Sequence, residues 1–341
     1  MLKAWLMTLP VLVPVLVFYW LADPFKVLRH DRQFYDPSSN MNVGLNKGMV
    51  TVTNYERQLQ KGNQYNAFIF GSSITCYYNA DEWASYLKGD SISPYHFDSS
   101  SESIQQMAEK VKYLQRTGAP IKHALIVLDP LIMGRETDDS PMSISPPQLS
   151  ANPLHWLKYH YTFLRASTNA DFLKSWVPAQ LSGTPYFLGR NPVFEVQPIA
   201  YDEKLNQESL PAWDEWIAKN PDEFYAQHPL IASPTATTVS QMVITPEKAA
   251  GLREIADIFR EQATDYQIII GPNRRKVVLN PVDKKTLDAI FGSERVHDFS
   301  RALFNDLEND SLLYDNTHYR PEYASKLMRL VYSPLKESND K

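Results

Sequence analysis

The chain has 341 residues, 43% of them apolar, and a formal net charge of −5. That length holds one large α/β domain with an insertion or two modest domains, and that composition packs a core instead of leaving the chain disordered. No long basic run appears, which argues against a nucleic-acid partner, and the single cysteine, Cys76, excludes an internal disulfide or a cysteine-rich metal site.

Residues 1–30 open the chain with an almost unbroken apolar run, Ala4 to Ala22. It is long enough to cross a bilayer as a helix, with Tyr19 and Trp20 where an aromatic belt belongs. Pro10 and Pro14 are tolerated in a membrane helix. A cleaved signal peptide is the competing reading, but Ala22-Asp23-Pro24-Phe25 carries no small-x-small cleavage pattern. The flanking charges, Lys3 on one side and Lys26, Arg29 and Arg32 on the other, favour a cytoplasmic main domain if counted alone. Residues 31–62 are polar and mixed, with Pro37-Ser38-Ser39-Asn40 as a turn cluster, and read as a juxtamembrane arm.

The α/β pattern occupies 63–135 and 246–335. A first strand, about Ala67–Phe70, stops at Gly71-Ser72-Ser73, which puts a serine at the carboxyl end of a buried strand. A helix through Ala80–Leu87 follows, then a short strand, Pro94–Phe97. Ser99 and Glu102 fit a capping box for the next helix, whose apolar positions are Ile104, Met107, Val111 and Leu114. The third strand, His123–Asp129, is apolar throughout its centre, as a strand covered on both faces must be. Strand and helix alternating in this way imply a parallel sheet with right-handed crossovers.

Residues 136–245 break the alternation. They are rich in Pro, Trp, Tyr and Asn, with helical character at Trp156–Leu173 and Pro211–Ala226, and read as an insertion flanking the site or as a separate domain. Thr245-Pro246 then starts a helix with a buried stripe at Leu252, Ile255, Ala256 and Phe259. Tyr266–Ile270 and Val296–Phe299 are the fourth and fifth strands. Asp315-Asn316-Thr317-His318 precedes a last helix, Glu322–Tyr332.

Two pieces carry chemistry. A serine is a weak nucleophile until a base removes its proton, and that base needs an orienting carboxylate. Ser73 after the first strand and Asp315 with His318 before the last helix supply the three types. Each has a structural alternative: Ser73 and Asp315 as helix caps, His318 as a surface residue. Cys76 reads as a small buried hydrophobe, Asp129 as a site acid or a turn cap, and Arg274-Arg275-Lys276 as a solvated loop or an anion-binding edge.

On these motifs the chain resembles the SGNH (GDSL-type) hydrolase superfamily, and within it the membrane-anchored, DltD-like and alginate O-acetylation proteins that partner MBOAT acyltransferases. The resemblance covers 65–135, 246–332 and the N-terminal anchor. It implies a flavodoxin-like three-layer fold with a parallel sheet of about five strands. It implies Ser73 as nucleophile, His318 as base and Asp315 as its orienter, with Gly71 shaping the turn. The Ser101 backbone N–H stands where the family has a glycine donor to the oxyanion. The family's third donor, an asparagine in a Gly-x-Asn-Asp turn, is missing: the strand ends Leu128-Asp129-Pro130. No metal or organic cofactor is implied. The implied setting is the bacterial inner membrane with the main domain exported, a multi-pass MBOAT-type partner, and a polysaccharide that receives an acyl group. An esterase of the same fold and a non-catalytic glycan-binding scaffold are the alternatives.

Overall fold

The computed structural model describes residues 2–29, 33–36, 42–184, 194–195, 199–301 and 303–339. The expected turn at Pro37-Ser38-Ser39-Asn40 lies outside these. Five parallel strands build the central sheet: β1 (Ala67–Gly71), β2 (Pro94–His96), β3 (His123–Leu128), β4 (Asp265–Ile270) and β5 (Val296–Asp298). Their spatial order is β5-β4-β3-β1-β2. Read from the other edge this is 2-1-3-4-5, the doubly wound order in which the connections reverse between β1 and β3. A ligand site belongs beyond the carboxyl ends of those two strands.

Alternation along the strands sorts side chains between two helical layers. Phe68 and Phe70 of β1 and Ile268 and Ile270 of β4 face a cluster with α2 (Lys47–Gln60), α4 (Ile104–Arg116), α9 (Pro246–Glu261) and α10 (Pro281–Phe291). Ala67, Ile69, Leu125 and Val127 face the other cluster, built from α3 (Ala80–Tyr86) and α11 (Pro321–Asn339). The result is a three-layer α/β fold. Trp83 of α3 is fully buried and donates its indole N–H to the Tyr332 hydroxyl of α11 at 2.8 Å, tying the second layer together.

Three sequence expectations change. The segment read as a juxtamembrane arm contributes α2, whose Val52 and Tyr55 sit in the sheet's own core. The capping box of α4 is Ser103 with Gln106, not Ser99 with Glu102, because Glu102 is committed to a buried ion pair. Among its described residues the insertion holds four α-helices where two helical stretches were expected. Asn169 caps a fresh start between α5 (His155–Ser167) and α6 (Ala170–Ser182), and Pro221 ends the run between α7 (Pro211–Lys219) and α8 (Pro221–Gln227).

At the N-terminus α1 covers Leu2–Ala22, with the side chains of 2–9, 11 and 12 outside the description. Among the described residues no helix is long and apolar enough to cross a membrane. The end of α1 packs on the insertion. Phe18 meets Trp176 edge-on at 5.8 Å, and the Tyr19 hydroxyl lies 3.1 Å from His160 Nδ1. Buried Asp23 then accepts the backbone N–H groups of Val27 and Arg29, fixing the chain's exit from the helix.

Candidate active site

The serine is aimed by a turn that only glycine can make. All five residues of β1 are buried, and the strand ends at Gly71 with φ +147°. A Cβ there would lie 2.5 Å from the Val127 carbonyl oxygen and 2.6 Å from Thr75 Cγ2. Neither the rigid backbone of β3 nor the conformation admits an L side chain. The chain then enters a single 3₁₀ turn, Ser73–Thr75, with Ser72 at its cap. Ser73 is the first helical residue, so its N–H has no partner inside that turn, and its side chain is half-buried at the mouth of the sheet.

Across that mouth, 245 residues later, His318 Nε2 lies 2.9 Å from Ser73 Oγ, and His318 Nδ1 lies 2.7 Å from Asp315 Oδ2. The other Asp315 oxygen accepts the backbone N–H groups of Thr317 at 2.7 Å and His318 at 2.9 Å. One carboxylate therefore shapes the loop and orients the imidazole together. Burial alone would raise the Asp315 carboxyl; the hydrogen bond and charge of His318, with the two backbone donors, hold it below the usual carboxylate range. The Asp315 side chain is 40% exposed and that of His318 25%, so the serine end opens to solvent.

The loop that carries Asp315 and His318 is held by residues that motif reading does not single out. Leu313 and Tyr319 form an antiparallel bridge at its base, and Tyr314 N–H donates to the His318 carbonyl at 3.0 Å. Asp214 of α7, inside the insertion, accepts the Tyr314 hydroxyl at 2.7 Å and Arg320 Nε at 2.9 Å. The Tyr225 hydroxyl of α8 donates to the Leu313 carbonyl at 2.7 Å, and Asn316 Oδ1 accepts the Ile231 N–H at 2.7 Å. Tyr77 stands edge-on 6.1 Å from the His318 ring and 4.8 Å from that of Tyr314, in a cluster completed by Cys76, Leu210, Ile217 and Phe224. Only the density of aromatic residues in 199–228 hints at this in the sequence.

Ser101 sits on the loop between β2 and α4, in the left-handed region at φ +54°. Ser99 N–H donates to the Gly71 carbonyl at 3.2 Å, which ties this loop to the turn that carries Ser73. Its far end is pinned by Glu102 and Lys110, 2.7 Å apart with side chains 0% and 1% exposed. Lys110 Nζ also donates to the Phe97 carbonyl at 3.0 Å. Burial pushes the Glu102 carboxyl up to about 7 against the pull of Lys110, and lowers Lys110 in turn. A pair this deep costs desolvation, so its structural meaning is loop geometry more than stability.

Gly71 pairs with Val127, and Asp129 follows the end of β3 at Leu128. Asp129 is buried, accepts the Leu131 N–H at 2.6 Å, and has its carboxyl raised to about 7 by burial against the backbone donors. It lines a cavity of about 10 Å³ together with Ser72 and Glu102. The turn-capping role is thus observed, and the residue shares a small cavity with Ser72.

Cys76 is buried, 3.5 Å from Asp98 Oδ2, and burial followed by the charge of Asp98 pushes its thiol well up. It behaves as a packed hydrophobe. Arg274 and Lys276 are not a solvated loop: Arg274 donates to the Ile231 and Leu307 carbonyls and pairs with Asp310 at 2.6 Å, and Lys276 pairs with Glu308 at 2.6 Å. No protein-family model matches the chain, and no curated protein matches it by sequence.

Proposed function

We propose that the chain is a membrane-anchored, exported serine O-acyltransferase of SGNH type that modifies a cell-envelope or exported polysaccharide. The observation that carries the reading is the continuous relay Asp315–His318–Ser73 at the switch point of the sheet. His318, held in one tautomer by Asp315, takes the proton from Ser73 Oγ as that oxygen attacks the donor's acyl carbon. The backbone N–H groups of Ser73 and Ser101 receive the charge that develops on the carbonyl oxygen. His318 passes the proton to the leaving group, and an acyl-serine ester remains. A sugar hydroxyl then gives its proton to His318, attacks the ester, and Ser73 is restored. The half-exposed setting of the triad suits a polymer laid across the surface.

The anchor is α1, and with the main domain outside the cytoplasm the acyl donor must be delivered through the membrane. A multi-pass acyltransferase of MBOAT type is the partner that meets this need. Replacing the nucleophile tests the reading. In a strain carrying Ser73→Ala, envelope glycan acylation falls to the level of the deletion strain, while the protein accumulates normally. Unchanged acylation sinks the catalytic reading in favour of a scaffold. A rise in acylation assigns the same triad to an esterase.

A further inference from the structure

Exposed apolar side chains are concentrated in one place. Among the described residues nineteen large hydrophobic side chains are exposed, and eleven of them lie on α1, α5 and α6 or the residue capping α5. Exposed apolar side chains gathered on neighbouring elements mark an interaction surface. On α5 it comprises Leu154, Leu157 and Tyr161, opposite the buried face of Tyr159 and Phe163. On α6 it comprises Val177 and Leu181, the latter 85% exposed, opposite Phe172 and Ala179. Trp20 and Leu21 near the end of α1 are exposed as well.

The position of this surface along α1 is fixed. Tyr19, Phe25, Phe163, Phe172 and Ala179 belong to one buried cluster, and Phe25 stacks on Phe172 at 5.0 Å. Trp176 of α6 reaches Phe18, four residues short of the end of α1. At 1.5 Å per residue that is about 6 Å inside the helix. Amphipathic helices that lie on a bilayer bury their apolar faces about 5–10 Å deep. The two depths agree. Trp156, exposed at the start of α5, and Tyr161 are residue types that favour that layer. Lys158, paired with Asp139 at 2.6 Å, and Arg165, 5.8 Å from the Tyr161 ring, put charged heads on the same helix.

We infer that the α5–α6 hairpin lies on the phospholipid surface from which α1 emerges, as an interfacial apron that fixes the height of the catalytic domain. This rests on the reading of α1 as a membrane anchor. The occupant is lipid and not the multi-pass partner, because α6 touches α1 at Phe18, about one turn inside the end of the helix that the anchor reading places in the bilayer.

The test uses the full chain in vesicles of phosphatidylethanolamine and phosphatidylglycerol, in a Cys76→Ala background. An environment-sensitive fluorophore is attached in turn at Leu157→Cys, Leu181→Cys, Val13→Cys on α1, and Leu330→Cys on the remote α11. Nitroxide-bearing lipids are expected to quench the labels at 157, 181 and 13 about twofold or more over that at 330. A quenched 13 with 157 and 181 in water overturns the apron and leaves the anchor standing. A label at 13 that stays in water removes the anchor, and the inference with it. Shielding of 157 and 181 that needs a co-reconstituted acyltransferase, without lipid quenching, overturns the inference in favour of a protein interface.

Discussion

The two halves of the triad are held by different means. Ser73 is placed by the sheet itself: a fully buried strand, a glycine that the neighbouring strand leaves no room to replace, and a 3₁₀ turn. Asp315 and His318 ride on a surface loop propped by side chains of the insertion, through Asp214, Tyr225 and the backbone of Ile231. The serine is therefore positioned by the core, and the Asp–His pair largely by the insertion.

The comparison is broken most severely at the orienting carboxylate. Asp315→Asn keeps the size of the side chain but disturbs the tautomer of His318, and is expected to lower turnover of p-nitrophenyl acetate by about ten-thousand-fold, with the circular-dichroism spectrum unchanged. On the nucleophile side the loss is one of stability. Gly71→Ala forces a Cβ into the Val127 carbonyl and is expected to lower unfolding stability by about 2–4 kcal/mol, read by denaturant titration.

Asp129 sharpens the core side. Its carboxyl is raised to about 7 from the 3.8 of a free carboxyl, so the folded state holds a proton that the unfolded state has lost between those values. Stability from this group is full below about pH 4 and falls by about 1.4 kcal/mol per unit as pH rises towards 7. Asp129→Asn removes that slope, so the variant gains on the wild type between pH 4 and 7 in thermal melts. The smallest effect tests the insertion. Asp214→Ala leaves the Tyr314 hydroxyl and Arg320 without their shared acceptor, and is expected to cost about 1–3 kcal/mol. Turnover should fall about tenfold with little change in KM, the signature of a misplaced base.

The parts legible in the sequence are those governed by local rules. Apolar runs gave the buried strands, and the Gly-Ser-Ser and Asp-x-x-His pieces gave the three residues that the fold brings within hydrogen-bond distance. Helix α2 escaped because its buried face includes Lys47, Thr51, Asn54 and Gln58, which blur any apolar stripe. Lys47 is satisfied by Glu208, 2.6 Å away, from a hairpin within the insertion. The start of α4 was misplaced by one turn because Glu102 finds Lys110, not a helix end. Asp214 is a surface-type residue until Tyr314 and Arg320, 100 and 106 positions away, arrive beside it.

The long separation between Ser73 and His318 has a consequence for biogenesis. Contacts between distant parts of a chain carry a loop-closure cost and form late. The strand behind the serine can assemble with β2 and β3 from residues up to Leu128, but His318 comes 245 residues after Ser73. On the proposed reading, a chain that has not reached His318 bears an inert hydroxyl, and activity waits for α11 to dock against α3. Hydrolysis of a small ester is then expected to lag behind the appearance of secondary structure in a refolding experiment.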